Sequence, residues 1–342
     1  MRYRIVIALL FWPLLAAAQE RPLFASNETL DIVFEFPLNT ILRDADERPV
    51  VAGTVQYIAD DGTAHTLDVT VTTRGKSRLE ECRFPPLSVN FKDAEKKDTL
   101  FKGQKKIKLV THCRDGDVYA RYLAQEYSIY RAFNVLTDKS FRVRRLNATY
   151  RDSEGRKSDI TSMAFFLESD NEVADRLGMK TIDVSIVNPS QLEPQHASTL
   201  FLFKYLVANT DWSAIQGPGD EGCCHNGKLI APDGSSEGWL VIPYDFDQSG
   251  IINTRYSSPA DQLGIRSVRQ RLYRGRCINL DLLDETIALF NATRQQTTAE
   301  LLPAELEGRF RESTSRYIDE FYDIVNDPLK RERSIENPCL GG

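Results

Sequence analysis

The alternation of apolar and polar residues in the first third of the chain constrains its fold more than any other feature. Period-two alternation is typical of strands that bury one face. It is clear in residues 30–36, and strand-like sequence continues in residues 53–58, 64–72, 84–91 and 100–110, the last of which alternates lysines with apolar residues at 106–109. An Asp-Asp-Gly turn at 60–62 joins two of these segments into a predicted hairpin. The chain therefore opens with a β-rich region, which excludes an all-helical protein.

Helical periodicity becomes common later in the chain. Residues 118–136 carry apolar side chains at helical spacing, including Leu123, Tyr127 and Phe133. Two more strands are predicted at 141–150 and 163–168, and the further helices at 199–208, 281–291 and 298–325. The order of these elements predicts an α+β protein. Its β-rich part spans residues 30–170 and its α-rich part spans residues 171–326.

The first residues have the pattern of a secretory signal. A basic start, a short apolar run and three alanines before Gln19 predict a signal peptide at 1–18, followed by a flexible segment at 19–29. We therefore expect an exported protein, periplasmic or secreted, without a transmembrane segment after cleavage. The formal net charge is −6, which argues against a nucleic-acid partner. The last residues, 327–342, are predicted to be an extended tail.

The cysteines predict disulfide bonds. All six lie in the exported portion, and an even number in an oxidising compartment favours pairing. We expect Cys82 to pair with Cys113, and the loop at Cys223 and Cys224 to be tied to Cys277, with Cys339 as a further option. Zinc binding is the alternative, but the chain lacks CxxC spacing, and His225 beside two adjacent cysteines gives poor tetrahedral geometry.

The stretch from residue 201 to residue 253 holds the strongest candidates for chemistry. An apolar run at 201–207 leads to Asp211, and a loop rich in Gly and Cys follows and ends at Asn226. A β-prone run at 238–242 then leads to Asp245 and Asp247. Charged groups beside a hydrophobic layer are costly unless they are used or paired.

These side chains match the needs of phosphoryl transfer. One carboxylate accepts the proton of the attacking hydroxyl, while an Asn and a second Asp hold the divalent cation. We therefore predict Asp211 as general base and Asn226 and Asp245 as ligands of Mg²⁺ or Mn²⁺, with Asp247 assisting. The simpler alternatives are a capping role for Asp211, an Asn-Gly turn at Asn226 and a solvated strand end at the two later aspartates.

Basic residues of the β-rich part are candidates for phosphate binding. The Arg74-Gly75 turn could aim cations and backbone amides at phosphate oxygens. Lys106 and Lys108 share one strand face. A strand lysine paired with a carboxylate on the next helix positions phosphates in kinases, so Glu126 with Lys106 or Lys108 is the predicted pair. The simpler alternatives are that the Arg74-Gly75 turn is a surface hairpin with basic side chains, and that Glu126 is an ordinary exposed glutamate on a helix.

The order of these motifs resembles the spore-coat CotH kinase-like family and, more distantly, HipA-type kinases. The resemblance rests on Asp211, Asn226 and a strand ending in Pro-Tyr-Asp at 243–245, preceded by the Arg-Gly turn at Arg74. It implies a two-lobed kinase-like fold that binds ATP, with Glu168 at the hinge beside the base. In those families the Asn follows the Asp after a few residues, whereas 14 residues separate them here.

The functional expectation is an exported kinase-like enzyme that transfers phosphoryl from Mg-ATP to a protein or a small hydroxyl acceptor. The arginine-rich segment at 259–276 could bind an acidic acceptor or close over phosphate. Two rival interpretations remain. One is a non-catalytic envelope or secreted binding protein. The other is a metal-dependent nucleotide-sugar transferase that uses Asp245 and Asp247 and gives no role to Lys106 or Lys108.

Overall fold

Seven strands of the first half of the chain close into a barrel. The computed structural model describes residues 21–92 and 96–341, so the signal peptide predicted at 1–18 lies outside the described residues. The barrel strands are β1 (Leu30–Phe36), β2 (Val51–Ile58), β3 (Ala64–Thr73), β4 (Leu87–Phe91), β5 (Lys106–Val110), β6 (Val143–Asp152) and β7 (Ile160–Leu167). The strand predicted at 30–36 is confirmed at both ends.

The closed barrel shows that the expected two-lobed kinase-like fold is wrong. The strands run around the barrel in the order β1-β2-β3-β4-β5-β7-β6. Closure comes from β1 and β6, which pair in parallel from Leu30 opposite Leu146 to Phe36 opposite Asp152. Because β1 also pairs with β2, these described strands leave no open sheet edge. Local alternation identified the strands but not their partners.

The rest of the chain is mainly helical and adds a small sheet. The helices are α1 (Leu38–Arg43), α2 (Ser77–Glu81), α3 (Asp117–Leu136), α4 (Asp170–Arg176), α5 (Pro194–Leu206), α6 (Leu283–Ala292), α7 (Arg294–Leu301), α8 (Gly308–Asn326) and α9 (Pro328–Arg331). The small sheet has the order β10-β9-β8 and consists of β8 (Lys180–Thr181), β9 (Gly227–Ala231) and β10 (Leu240–Pro243). The helix predicted at 118–136 is confirmed as α3.

Two apolar cores organise the described residues. One fills the barrel with side chains such as Phe34, Phe101 and Phe166. The other lies outside the barrel wall, where α3 and α5 pack together through Phe133 and Phe203, whose ring centroids are 4.7 Å apart. Burial of apolar surface on both sides of the wall fixes the helices against the barrel. The second core includes Trp212 and Phe246, which are next to Asp211, Asp245 and Asp247 in the sequence.

The structure confirms part of the disulfide prediction. The pair Cys82–Cys113 is confirmed. The expected link from the Cys223 loop to Cys277 is wrong, because Cys223 bonds to its neighbour Cys224 and Cys277 bonds to Cys339. Adjacent cysteines satisfy each other within the loop, which frees Cys277 for the C-terminal partner. The bond Cys277–Cys339 therefore ties the tail to the segment before α6.

Several element boundaries differ from the prediction. The single helix predicted at 298–325 is wrong, because the chain there forms two helices, α7 and α8, separated by residues 302–307. Helix α5 begins at Pro194, where the side chain of Glu193 accepts a hydrogen bond from the backbone N–H of His196 and so caps the helix. The predicted extended tail instead continues as α9 and a π-helical turn at Glu332–Glu336. Leu23, within the segment predicted to be flexible, is fully buried. Within residues 21–92 and 96–341, no helix is long and apolar enough to cross a membrane.

Candidate functional site

Two local features bring Asp211, Asn226 and Asp245 together. An antiparallel bridge joins Ser213 to His225 through two backbone hydrogen bonds of 3.0 and 3.1 Å. It closes the Gly- and Cys-rich loop and returns the chain to Asp211. The hairpin of β9 and β10 pairs Gly227 with Pro243, so Tyr244 lies opposite Asn226 and donates its backbone N–H to the Asn226 carbonyl at 3.2 Å. Asp245 follows directly after Tyr244. The 14 residues between Asp211 and Asn226 therefore form a closed loop that does not separate the two side chains.

Asp211 is held by the two residues that follow this loop. Its Oδ1 lies 2.7 Å from His225 Nε2, and its Oδ2 accepts a hydrogen bond of 2.9 Å from the amide nitrogen of Asn226. Burial opposes ionisation of Asp211, but the hydrogen bond and charge of His225 outweigh it and lower the pKa of the carboxyl. The same hydrogen bond raises the pKa of His225. The contact therefore favours the ionised form of Asp211 and the protonated form of His225.

Asn226 has a free acceptor on the side away from Asp211. Its amide nitrogen donates both to the carboxylate and to the backbone carbonyl of Asp211, the latter at 2.8 Å. Among the described residues, both side-chain hydrogen bonds of Asn226 therefore use its nitrogen, and its oxygen is the atom that could bind a cation. The backbone of Asn226 is left-handed, with φ 48°, a conformation that Asn tolerates better than most residues.

Asp245 is the more accessible of the two later aspartates. Its side chain is 43 % exposed, and its backbone is left-handed with φ 58°, which costs about 1 kcal/mol or more for a residue other than glycine. The backbone N–H donates 2.8 Å to the hydroxyl of Tyr130 on α3 and so holds this turn. Burial and then the neighbouring Asp247 raise the pKa of Asp245, with a further contribution from Asp211. The charge of Asp211 therefore reaches Asp245, which is consistent with a common electrostatic environment.

Arg78 connects three carboxylates beneath the site. Its guanidinium lies 2.6 Å from Glu126, 3.1 Å from Asp247 and 3.6 Å from Asp245. The expected partner of Glu126 was Lys106 or Lys108, and that prediction is corrected: the ion pair is with Arg78. Arg78 lies in α2, a short helix that begins after the Gly75 turn and enters the core.

Burial raises the pKa of Glu126 to about 7, against the opposing charge of Arg78. Asp247 is nearly buried. It accepts a hydrogen bond from the Tyr256 hydroxyl as well as from Arg78. Asp247 is therefore committed to protein partners, and Asp245 is the carboxylate that remains open to a ligand.

A cavity of about 570 Å³ is lined by the basic residues predicted to bind phosphate, and two of them, Arg74 and Lys108, are close enough to Asp245 to feel its charge. Arg74, Lys106 and Lys108 form its barrel wall, with Gln104 at the same wall. Burial, followed by the charge of Arg74, lowers the pKa of Lys108 to about 8. Among the described residues none of these three cations forms an ion pair, and the buried Nε of Arg74 and Nε2 of Gln104 have no hydrogen-bond partner.

The opposite wall of this cavity is formed by the start of α4 and carries acidic residues. Glu172 and Asp175 are both paired with Arg21, at 3.2 and 3.5 Å. Arg21 offsets only part of this negative charge, and Asp170 also lines the cavity. The described lining nevertheless has five cations (Arg21, Arg74, Lys105, Lys106 and Lys108) against these three acids, so it carries a net positive charge. The cavity can accept an anion along the barrel wall and hydrogen-bonding groups along α4.

Glu168, the predicted hinge residue, is held by contacts with other residues of the chain. It lies at the end of β7 and is almost fully buried. Its carboxylate accepts hydrogen bonds from the backbone N–H of Arg142 at 2.9 Å and from the guanidinium of Arg176 at 3.0 and 3.2 Å. Among the described residues that line the cationic cavity, Glu168 is not included. The salt bridge explains its burial without a ligand.

Lys204 is a site residue that the sequence analysis missed. It lies on α5, is almost fully buried, and its amine has no hydrogen-bond partner among the described residues. The amine is 4.4 Å from the ring centroid of Phe246 and 5.9 Å from that of Trp212. Burial lowers the pKa of Lys204 to about 7, and the charges of Asp211 and Asp245 oppose that shift. A lysine inside the apolar run at 201–207 was the signal available in the sequence.

The oxygen ligands fit magnesium better than a metal that prefers nitrogen or sulfur. Asp245 and the amide oxygen of Asn226 supply two oxygens, and Mg²⁺ is commonly held by one or two protein oxygens plus phosphate and water. Among the described residues there is no group of three or more His, Cys, Asp or Glu side chains arranged for a metal.

No protein-family model, curated protein or solved structure matches the chain.

Proposed function

We propose that the chain is a divalent-metal-dependent phosphoryl-transfer enzyme that uses ATP and a hydroxyl-bearing acceptor, either a protein or a small molecule. The proposal does not require the kinase-like fold that the barrel replaces, because function depends on the site rather than on the scaffold. The observation that carries it is the arrangement of Asp211, Asn226 and Asp245 beside a cavity whose barrel wall holds Arg74, Lys106 and Lys108.

Asp211 is the proposed proton acceptor. It stays ionised because His225 and Asn226 each donate to one of its oxygens. Each carboxylate oxygen has two lone pairs, so one can still accept the hydrogen of an acceptor hydroxyl. Asn226 and His225 fix the direction of the carboxylate, which is the condition for aligning an attacking oxygen.

The cations of the barrel wall are the proposed phosphate-binding set. Arg74, Lys106 and Lys108 are without carboxylate partners among the described residues, so a triphosphate would supply the missing negative charge. A bound Mg²⁺ or Mn²⁺ would supply positive charge to neutralise the charge that develops on transfer. Asp245 and Asn226 would hold that cation, while Asp247 keeps Arg78 in place beneath it.

A thermal-shift screen tests this proposal against its rivals. The purified chain is heated with Mg²⁺ or Mn²⁺ together with ATP, ADP or a UDP-sugar. A ligand that binds only the native state at about 100 times its Kd stabilises by about 2.7 kcal/mol. We expect stabilisation by Mg-ATP that Asp245→Ala abolishes and that the matched surface variant Asp323→Ala retains.

The other outcomes of the screen overturn the proposal. Stabilisation by UDP-sugars in preference to ATP would favour the nucleotide-sugar transferase. An unchanged melting temperature with every nucleotide and both metals would favour the non-catalytic binding protein.

A further inference from the structure

A second cavity, of about 500 Å³, lies between α3, the segment after Asp247 and α8, away from the cationic cavity described above. Four arginines line it: Arg121, Arg255, Arg269 and Arg309. None of the described residues that line this cavity is acidic. Among the described residues none of the four arginines forms an ion pair. A protein with a formal net charge of −6 thus concentrates unneutralised positive charge at one place.

Aromatic rings hold three of these guanidinium groups. Arg121 and Arg309 lie 4.1 and 5.0 Å from the ring centroid of Phe310, which is 41 % exposed. Arg269 lies 4.4 Å from the ring of Tyr317. A cation over a ring is stabilised, but the ring does not cancel its charge. The arginines are therefore positioned while their hydrogen-bond donors remain available.

Hydrogen bonds between the elements fix the walls of the cavity. The side chain of Gln125 on α3 donates 3.2 Å to the carbonyl of Ile251. The hydroxyl of Tyr317 on α8 donates 2.8 Å to the carbonyl of Arg269. The cavity is consequently formed before any ligand binds, which reduces the ordering cost of binding.

We propose that this arginine cavity binds a small multivalent anion that carries phosphate or carboxylate groups. The planar guanidinium fork matches both groups, and the volume of about 500 Å³ is that of a metabolite-sized site. Phe310 offers an apolar surface for the remainder of the ligand. The inference goes beyond the proposed phosphoryl transfer, because it depends only on the charges and geometry of this second cavity.

Isothermal titration calorimetry with inorganic pyrophosphate and, separately, with citrate tests the inference. Titrations are run with EDTA at a fixed ionic strength of about 0.15 M, so that general screening is constant. We expect one-to-one binding of at least one probe. The double variant Arg121→Gln/Arg309→Gln should weaken it by about tenfold or more. The matched variant Arg43→Gln/Arg294→Gln removes the same charge from exposed ion pairs and should leave the affinity unchanged.

A further variant separates this cavity from the proposed nucleotide site. Lys106→Gln/Lys108→Gln removes cations from the other cavity, and the arginine-dependent binding should persist in it. Preference for pyrophosphate would identify phosphate esters as the ligand class, and preference for citrate would identify polycarboxylates. Absence of binding by both probes, or an equal loss in the two arginine double variants, would overturn the proposal. Circular dichroism and the ligand-free melting temperature confirm that the variants fold.

Discussion

Arg78 and Glu126 form a buried ion pair: Nη2 of the arginine lies 2.6 Å from Oε2 of the glutamate, and the two side chains are 11 % and 5 % exposed. The same guanidinium contacts Asp247. One arginine thus balances carboxylates from α3 and from the turn after β10. The pair ties the helix that supports the site to the turn that carries Asp245.

Replacement of Arg78 by methionine should strongly destabilise the protein. The variant leaves Glu126 and Asp247 buried without their counter-charge, which typically costs about 3–5 kcal/mol of the free energy of unfolding. Urea denaturation measures the loss. The control is Arg294→Met, whose exposed pair with Asp319 should contribute about 0–1 kcal/mol. Similar losses in the two variants would contradict a structural role for the buried cluster.

Replacement of Lys204 by methionine should leave stability intact near neutral pH but reduce activity. A buried amine without a hydrogen-bond partner is costly, and methionine fills a similar volume. We expect an unfolding free energy within about 1 kcal/mol of the original chain or above it, together with a fall in kcat of about tenfold or more, since the amine's charge acts on Asp211 and Asp245.

The pH dependence of the Lys204 variant gives a second readout. The folded-state pKa of Lys204 is lowered to about 7, whereas the unfolded value is about 10.4. Between these values the unfolded chain binds more protons at this position, so the stability contribution of Lys204 increases with pH. Any advantage of Lys204→Met should therefore shrink from about pH 6 to about pH 9. Urea titrations at both pH values measure the unfolding free energies of the variant and the original chain. An advantage of Lys204→Met that grows from the lower to the higher pH would contradict the account.

The pair of Asp211 and His225 should stabilise the folded chain, and this contribution should be lost at alkaline pH. Asp211 raises the pKa of His225, so the contribution is complete below the unfolded pKa of about 6.5 and disappears as pH rises through the higher folded value. At pH 6 the free energy of unfolding of the original chain should exceed that of His225→Gln by about 0.5–1 kcal/mol. The difference should be smaller at higher pH. Melting temperatures across this range test it. A constant difference would show that the imidazole charge is not involved.

The disulfide Cys277–Cys339 should stabilise the chain more than Cys82–Cys113 does. The two bonds close segments with sequence separations of 62 and 31 residues. Removal of a native disulfide costs about 2–4 kcal/mol, and a doubling of loop length adds about 0.6 kcal/mol. Urea denaturation of Cys277→Ser/Cys339→Ser and of Cys82→Ser/Cys113→Ser compares them. The opposite order would show that local packing outweighs loop entropy.

The sequence predicted the strands but not the barrel. Alternation in β1 identified a strand with one buried face, yet its parallel pairing with β6 joins residues more than a hundred positions apart. Period-two patterning carries no information about which strand is the partner. The two-lobed expectation failed at this point, although the order of strands before helices was visible.

The sequence identified several residues of the site but misassigned one of its contacts. Asp211 and Asp245 were recognisable because acids follow apolar runs. The partner of Glu126 was missed, because Arg78 lies in a five-residue helix that the pattern presented as part of a strand-rich region. His225 was considered only as a poor zinc ligand. Its contact with Asp211 depends on the Ser213–His225 bridge, which local patterns do not reveal.

Release of the γ-phosphoryl group of ATP is the most direct test of the central claim. ADP formation and phosphoryl incorporation are followed with Mg²⁺, using the chain itself and a panel of hydroxyl-bearing acceptors. The account predicts turnover that requires the cation and falls about a hundredfold or more in Asp211→Asn, with Asp323→Asn as the matched control. Turnover that Asp211→Asn leaves unchanged, or ATP that remains intact under every condition, would contradict it.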